Sequence, residues 1–238
     1  QGEAAERISD HWGLNRDDHD QFAIESHNRA IAASRAGYFD REIMPLGTKA
    51  SAGADALLSA DETIRFDTSA EKLSSLKTVF REAGRVTAGN ASQICDGAAV
   101  LLLAGPSAVK RHGLVPRARI VATTVVGSDP EMMLSGPITA TRQVLSAASL
   151  SADDIDLFEV NEAFASVPLM WMKEIGVARA RLNVNGGAIA LGHPLGATGA
   201  RMMTTLLHSL ERNELRYGLQ SICCAGGMAT ATIIERLG

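Results

Sequence analysis

Residues 154–176, DIDLFEVNEAFASVPLMWMKEIG, decide the fold class of this chain. The first part, residues 154–160, is a short apolar run typical of a buried strand. The second part, residues 162–176, predicts a helix that follows the strand almost at once. A strand joined directly to a helix is the unit from which α/β folds are built.

The same alternation continues on both sides of this segment. The two strands at its C-terminal end are joined through Gly226 and Gly227, which predicts a closing hairpin. Alternating strands and helices predict an α/β fold with a layered sheet. The other predicted strands cover 98–104, 117–127, 181–185, 219–225 and 228–237, and the other predicted helices cover 106–113, 137–148 and 200–213.

The part of the chain before residue 94 is irregular and mostly helical. Asn15 is expected to cap a helix over residues 16–36, with acidic residues in its first turn and Gly37 as its C-terminal stop. From Pro45 to Ala60 the sequence lacks apolar periodicity and is rich in Gly, Ala and Ser, which predicts a loop.

A short helix is predicted after this loop. Thr68 and Glu71 have the spacing of a capping box. The apolar residues that follow at helical spacing are Leu73, Leu76, Val79 and Phe80.

Composition excludes several classes of partner. The chain has 238 residues, of which 46% are hydrophobic, and a formal net charge of −4. Lys and Arg are scattered, so no nucleic-acid partner is expected. The longest apolar run, residues 98–109, is broken by Gly105 and Pro106 and is too short for a bilayer, which takes about 20 residues. No membrane partner is expected either.

Cysteine usage indicates a reducing compartment. The chain has three cysteines, and two of them are adjacent, Cys223 and Cys224. Neighbouring cysteines rarely bond to each other, so no disulfide framework is predicted. Without a signal or transit sequence, a cytoplasmic location is expected. The chain opens in a helical pattern without an initiator Met, and we expect further residues upstream of Gln1.

Three polar features stand where predicted strands end: Asn161 with Glu162, His193, and Cys223. Sites in open α/β sheets assemble at the carboxyl ends of the strands. Each feature also has a structural interpretation: His193 as a turn residue, Cys223 as a small buried strand residue, and Asn161 as a helix N-cap. Singly, these structural interpretations are favoured.

The glycines around His193 change this balance. Residues 185–201, NGGAIALGHPLGATGAR, contain five glycines, too many for one turn. Such a backbone suits close approach to a ligand or to another segment. The spacing matches neither the dinucleotide fingerprint nor the phosphate loop, so a standard nucleotide-binding loop is not expected.

Four stretches of the chain form a pattern: TAGNASQICDGAA at 87–99, NEAFA at 161–165, NGGAIALGHPLGATGAR at 185–201 and CCAGGMA at 223–229. Together they resemble the motifs of the thiolases, the acyl-CoA acetyltransferases of the thiolase superfamily. Asn-Glu-Ala-Phe, where the sterol-carrier type has His-Asp-Cys-Phe, favours the ordinary thiolases. The resemblance implies a thiolase-like layered α/β fold with a mixed sheet covered by helices.

The resemblance also implies catalytic roles. His193 is the implied base that activates a nucleophilic cysteine and then helps to bind the thioester oxygen, and Asn161 holds a water in that oxyanion hole. Cys223 is the implied acid/base that acts on the methyl group of acetyl-CoA. The backbone N–H of Ala225, beside Gly226, completes a second oxyanion hole. Two thiols and an imidazole suffice for this chemistry, so neither metal nor redox cofactor is expected.

Coenzyme A and acyl-CoA are the implied partners, as substrates. Ser92 is the implied contact to the pantetheine arm, and Ala163 and Phe164 form the channel wall. Arg65 is the implied contact to the adenine nucleotide end, with a solvated surface charge as an equal alternative.

The sequence departs from the family in one respect. The nucleophilic cysteine of thiolases belongs to the N-terminal half, which is absent from these residues, and Cys95 does not replace it. The resemblance implies a helical CoA-binding loop domain over 1–94, the last strand and helix of the N-terminal half over 95–114, and the C-terminal α/β domain over 115–238. It also implies a homodimer or homotetramer assembled through the N-terminal half.

Three functions follow from these expectations. The first is a thiolase acting on 3-ketoacyl-CoA, in the degradative direction and on fatty-acid or steroid side chains. The second is a non-catalytic module that binds coenzyme A. The third is one half of a two-chain assembly. The chain by itself is expected to be inactive, with residues 98–104 as an unpaired apolar strand.

Overall fold

A computed structural model describes residues 1–49 and 55–238 of the chain. Single turns of 3₁₀ helix lie at Ala152–Asp154 and Arg179–Arg181. The helices are α1 Gly2–His11, α2 Arg16–Arg35, α3 Ala70–Ser74, α4 Pro106–His112, α5 Gly136–Ala148, α6 Ser166–Ile175, α7 Ala188–Leu191 and α8 Thr198–Arg212. The strands are β1 Leu46–Lys49, β2 Asp55–Leu58, β3 Ala118–Gly127, β4 Leu157–Val160, β5 Tyr217–Cys224 and β6 Met228–Arg236.

Four strands form a mixed sheet in the order β3-β6-β5-β4. β6 runs antiparallel to both β3 and β5, whereas β4 runs parallel to β5. The predicted hairpin between β5 and β6 is confirmed, with Gly226 and Gly227 at φ +78° and +76°. The predicted α/β fold with a mixed sheet is therefore confirmed.

Helices cover both faces of this sheet. On β4, Phe158 points into a large apolar core that includes Trp171 of α6 and Val144 of α5. The preceding residue, Leu157, points to the opposite face and packs with Leu206 of α8. This alternation follows from the two-residue period of a strand. The sheet thus presents one core to α5 and α6 and another to α8.

The first half of the chain packs against these layers through α1 and α2. The Asn15 side chain accepts a hydrogen bond from Asp18 N while the Asp18 carboxylate accepts one from Asn15 N, a full capping box. Gly37 follows the helix at φ +70°. Both predicted ends of this helix are confirmed. α2 lies against α7 and α6, close to the glycine-rich segment.

Two predictions about residues 45–80 are wrong. In place of a continuous loop, β1 and β2 pair antiparallel, with Leu46 opposite Leu58. Most of their residues are exposed, and a strand pair with no buried face has no reason to show apolar alternation. Residues 50–54 of the predicted loop lie outside the described residues.

The helix predicted from Thr68 begins one residue later and is shorter. Its N-cap is Ser69, whose hydroxyl accepts from Lys72 N, and the helix ends at Ser74. Val79 and Phe80 are exposed beyond the helix. The chain turns there because Val79 N donates to Val86 O, which replaces a helical bond.

Two predicted strands are absent from the described chain. Residues 98–104 form neither helix nor strand, and Val100 is 91% exposed. This run pairs with none of the four strands of the sheet. Residues 181–185 contribute only one parallel bridge, between Leu182 and Phe158. The helix predicted over 162–176 begins at Ser166, so Asn161 is not its N-cap. In the described part of the chain, no helix combines the length and apolarity needed to cross a membrane.

Candidate active site

The loop that carries His193 is held by Gln93 from a distant part of the chain. The backbone N–H of His193 donates to Gln93 O at 3.0 Å. The Gln93 side-chain amide donates to Ile189 O at 3.0 Å and to Thr63 O at 2.7 Å. Gln93 therefore fixes α7 and the start of the His193 loop together.

Two glycines of this segment are required by close contacts. A Cβ atom on Gly192 would overlap the Cys95 sulfur, and Gly192 has φ +80°. A Cβ atom on Gly187 would overlap the Glu162 carboxyl group. Residues with side chains are excluded at both positions, which is what the glycine-rich sequence indicated.

The buried carboxyl group of Glu162 connects three segments behind this loop. It accepts hydrogen bonds from Ser26 Oγ at 2.6 Å, Asn183 Nδ2 at 2.8 Å and Ile189 N at 3.2 Å. Ile189 lies in the first turn of α7, where a carboxylate is favourable. The sequence placed Glu162 with Asn161 among the polar features at strand ends, but it did not indicate this structural role.

The imidazole ring of His193 is partly buried and contacts polar atoms at both nitrogens. Nε2 lies 3.3 Å from Asn161 Nδ2, and Nδ1 lies 2.7 Å from Thr198 Oγ1. Burial lowers the pKa of His193, and the positive charge of Arg201 lowers it further. A neutral imidazole at neutral pH is the form that can act as a base.

Cys223 lies near the end of β5 and is only 7% exposed. Burial raises the pKa of its thiol to about 12, with a further rise from Cys224 and an opposing effect from the Asn161 side chain. Asn161 N also donates to Ser221 O at 3.0 Å, which extends the pairing of β4 and β5. Asn161 thus contacts His193 and pairs with the strand that carries Cys223.

The predicted oxyanion residues Ala225 and Gly226 lie in the exposed turn between β5 and β6. The strand pairing continues to Cys224 opposite Met228, so this turn directly follows the two cysteines. The backbone groups of Ala225 and Gly226 therefore lie at the same end of β5 as Cys223.

Three of the four predicted CoA-binding residues are neighbours. Ser92 N donates to Ala163 O at 2.9 Å, and Ala91 forms an antiparallel bridge with Phe164. Ala165 N also donates to Asn90 O at 2.9 Å. Residues 90–92 therefore pair with the stretch that directly follows Asn161.

Asn90, which sequence analysis did not single out, holds this pairing in place. Its amide donates to Asp20 Oδ1 at 2.8 Å, and its carbonyl oxygen accepts from Thr87 N at 2.9 Å. Both contacts are buried. The signal available in the sequence was its position inside the motif 87–99.

Arg65 and Cys95 differ from the other predicted residues. Arg65 is exposed, and its backbone N–H donates to His27 Nδ1 at 3.2 Å. Within residues 1–49 and 55–238, its side chain is hydrogen-bonded to none of the other predicted site residues. The Cys95 thiol faces the backbone of Gly192, and burial raises its pKa.

Among residues 1–49 and 55–238, no group of three or more His, Cys, Asp or Glu side chains is placed to hold a metal ion.

Comparison with protein families matches this chain along nearly its whole length. Residues 1–107 match the family described as "Thiolase, N-terminal domain". Residues 114–236 match the family described as "Thiolase, C-terminal domain".

Individual relatives agree with these matches. The chain is 50% identical over 233 residues to a steroid 3-ketoacyl-CoA thiolase of Mycobacterium tuberculosis, covering 98% of this chain and 56% of that protein. The crystal structure of the Bacillus anthracis acetyl-CoA acetyltransferase superposes with a TM-score of 0.96 at 44% identity, covering 99% of this chain and 60% of that one. The crystal structure of human mitochondrial 3-ketoacyl-CoA thiolase in complex with CoA gives a TM-score of 0.91 at 38% identity, covering 99% and 58%. The chain therefore spans less than two thirds of the length of these relatives.

Proposed function

The chain belongs to the thiolase family, and from that premise we propose that it carries the base and the second thiol of a degradative thiolase. In this proposal, the complete enzyme cleaves a 3-ketoacyl-CoA with CoA to give acetyl-CoA and a shortened acyl-CoA, and the reverse Claisen condensation uses the same groups. The observation that carries the proposal is the position of Asn161: its side-chain amide nitrogen lies 3.3 Å from His193 Nε2, and its backbone N–H donates to Ser221 O on β5, two residues before Cys223.

The first half of the proposed reaction needs a base and an acid. A cysteine thiol from outside these 238 residues gives its proton to His193 Nε2 and attacks the keto carbon. The bond between the keto carbon and the α-carbon then breaks, and its electron pair leaves as the enolate of acetyl-CoA. The Cys223 thiol protonates this enolate. A thiol whose pKa is raised to about 12 keeps its proton at neutral pH, as an acid must.

In the second half, CoA releases the shortened acyl group. The CoA thiol gives up its proton, which restores the thiol of Cys223, and attacks the acyl-enzyme thioester. The nucleophilic cysteine leaves as a thiolate and takes back the proton held by His193. Oxyanions form in both halves, and each well-placed donor is worth ~2.7–4 kcal/mol. We assign these donors to His193 with an Asn161-bound water, and to the backbone at Ala225 and Gly226.

The substrate-binding part of the proposal uses the pairing of residues 90–92 with 163–165. Ser92 is assigned to the pantetheine arm, and Ala163 and Phe164 are assigned to the channel wall. This is supported by the pairing of residues 91 and 92 with the stretch that comes shortly after Asn161 in the chain. Arg65 is assigned to the adenine nucleotide end, and its exposure fits a polyphosphate contact.

The remaining assignments concern the whole protein. We propose the division into a loop domain 1–94, a strand and helix 95–114 that belong with an N-terminal half, and a C-terminal domain 115–238. We also propose a cytoplasmic homodimer or homotetramer. A steroid or fatty-acid thioester is the proposed substrate class, which is supported by the 50% identity to a steroid 3-ketoacyl-CoA thiolase.

Acylation and proton exchange test the two catalytic roles separately. Residues 1–238 are joined to the N-terminal portion of the Bacillus anthracis relative that they do not cover. His193→Ala should abolish labelling by an acyl-CoA, because the base is lost. Cys223→Ser should still be acylated but should not exchange the methyl protons of acetyl-CoA, and Cys224→Ser is the matched control.

The outcomes separate the three candidate functions. Normal acylation of the His193→Ala variant would show that His193 is not the base that activates the nucleophilic cysteine. CoA binding with neither acylation nor exchange in the joined protein would favour the non-catalytic module. Activity that appears only when a separate N-terminal chain is added would favour the two-chain assembly.

A further inference from the structure

Thr198 is the buried first residue of α8, and its hydroxyl lies between two partners. Thr198 Oγ1 is 3.0 Å from Pro194 O and 2.7 Å from His193 Nδ1. A hydroxyl has one proton to donate, whereas a carbonyl oxygen can only accept. When the hydroxyl donates to Pro194 O, it is left as the acceptor at Nδ1. The ring must then carry its proton on Nδ1.

The other ring nitrogen gives an independent indication of the same tautomer. Nε2 lies 3.3 Å from Asn161 Nδ2, and an amide nitrogen is a donor only. Nε2 must therefore present its lone pair to Asn161. Two contacts on opposite sides of the ring require a proton on Nδ1 and a lone pair on Nε2.

We propose that Thr198 is a positioning residue that holds His193 in the Nδ1–H tautomer. The hydrogen bonds then run in one direction: Asn161 Nδ2 donates to Nε2, Nδ1 donates to Thr198 Oγ1, and Thr198 Oγ1 donates to Pro194 O. Its consequence for catalysis rests on the proposed function, because a base must present its lone pair to the proton that it takes. The hydrogen bond from Asn161 Nδ2 to Nε2 is long, so an incoming thiol can readily replace Asn161 as the donor to this lone pair.

The backbone around Pro194 strengthens the assignment. Pro194 O also accepts from Thr198 N at 2.9 Å, so the start of α8 is fixed to the residue directly after His193. The hydroxyl is thus held near both partners by one turn of backbone. A side-chain partner that orients the second nitrogen of a functional histidine is a general device for fixing its tautomer.

The same helix supplies a matched control. Thr204 Oγ1 donates to Ala200 O at 2.9 Å, the same four-residue hydroxyl-to-carbonyl contact that Thr198 makes. The two threonines therefore share this hydroxyl contact. They differ in that the Thr198 hydroxyl lies against a histidine ring, whereas His208 Nδ1 contacts the backbone oxygen of Thr204 and not its hydroxyl. Thr198→Val removes the hydroxyl at nearly constant volume, Thr198→Ser retains it, and Thr204→Val removes the control hydroxyl.

The first arm measures the tautomer itself by two-bond ¹H–¹⁵N correlation spectra of the imidazole rings in the joined protein at neutral pH. A His193→Gln spectrum identifies the His193 signals. We expect the Nδ1–H pattern in the parent, in Thr198→Ser and in Thr204→Val, and its loss in Thr198→Val. An Nε2–H pattern in the parent, or an unchanged Nδ1–H pattern in Thr198→Val, would overturn the inference.

The second arm measures acyl transfer in the protein joined to the Bacillus anthracis portion. Thr198→Val should lower kcat by about 10- to 100-fold with little change in KM, by analogy with the loss of an orienting partner of a metal-bound histidine. Thr198→Ser should restore kcat and Thr204→Val should not change it. If Thr198→Val fails to fold, as judged by circular dichroism, Thr198→Ala takes its place in both arms.

The two arms separate two kinds of failure. An Nδ1–H tautomer in a joined protein that shows no acyl transfer would contradict the proposed function and leave the tautomer assignment intact. Acyl transfer with an Nε2–H tautomer would overturn the role of Thr198 and leave the proposed function standing.

Discussion

Two apolar runs of this chain differ in burial: one is exposed and the other forms a buried strand. Residues 98–104, AAVLLLA, contain no polar side chain, yet Val100 and Leu102 are 91% and 81% exposed. Residues 157–160, LFEV, include a glutamate, yet all four are buried in strand β4. The more apolar run is thus the one in water. Composition alone does not decide which segment becomes a core strand.

The neighbours of β4 explain the difference. On one edge it pairs with β5. On the other edge Asn183 takes the place of a strand: Asn183 N donates to Phe158 O, Asn183 Nδ2 donates to Val160 O, and Asn183 Oδ1 accepts from Val160 N, at 2.8–2.9 Å. In the described residues, 98–104 have no comparable partner. A strand is therefore made by what lies beside it.

The largest expected effect tests burial directly. Phe158→Ala removes a ring that packs edge-on against Trp171 at 5.2 Å between centroids. We expect a loss of about 3–5 kcal/mol in the free energy of unfolding, measured by urea denaturation. Leu102→Ala is the matched control from the exposed run and should stay within about 0.5 kcal/mol. Equal losses in the two variants would contradict the comparison.

The glutamate in β4 gives the next effect, through pH. Burial raises the pKa of Glu159 to about 8, so the folded state holds a proton that the unfolded chain releases near pH 4.5. The contribution of protonated Glu159 to the free energy of unfolding is therefore fully present below about pH 4.5 and is lost as the pH rises through about 8. Glu159→Gln cannot ionise and should lack this decline.

Unfolding free energies between pH 5 and pH 9 measure this difference. The parent should lose roughly 2–4 kcal/mol relative to Glu159→Gln, at about 1.36 kcal/mol per pKa unit. Arg201 lies near Glu159, and its charge can shift the unfolding free energy of a variant by a constant amount. Comparing how the unfolding free energies change with pH removes this constant difference. Glu62→Gln, at an exposed position, should keep the parental slope. Parallel curves for parent and Glu159→Gln would contradict a buried neutral Glu159.

The edge of β4 gives a smaller effect. Asn183→Ala leaves the backbone groups of Val160 without their side-chain partners and also removes a bond to Glu162. Asn183 has φ +46°, which Asn tolerates better than Ala. We expect a loss of about 1–3 kcal/mol by thermal or urea unfolding. Asn213→Ala, at an exposed helix end, is the control. If Asn183→Ala lost no more stability than Asn213→Ala, groups other than the Asn183 side chain would satisfy the edge of β4.

What was predictable from sequence depended on the range of the interactions. The Asn15 N-cap and the Gly226–Gly227 turn are set by residues a few positions apart, and both were predicted correctly. Leu182 was predicted in a strand but makes a single bridge, because Asn183 with its positive φ turns the chain away.

For the candidate site, the sequence pointed to side chains but not to what orients them. His193, Asn161 and Cys223 were singled out because each stands near a strand end. The Gln93 contact to Ile189 joins residues 96 positions apart, and no local pattern predicts it. Thr198 resembles any threonine at a helix start until the ring of His193 is placed beside it.

The smallest expected change in stability concerns the exposed run. Leu102 and Leu103 are 81% and 71% exposed, so replacing both by Ser removes almost no buried surface. The free energy of unfolding should stay within about 0.5 kcal/mol of the parent. Exposed contiguous apolar side chains favour association, so light scattering of the double variant should show a lower mean mass at equal concentration. A matched double change of Lys110 and Arg111 to Ser, on the neighbouring helix α4, should not lower it. A loss above about 1 kcal/mol in the leucine variant would mean that this run is packed within its own chain in solution, and the contrast with β4 would then fail.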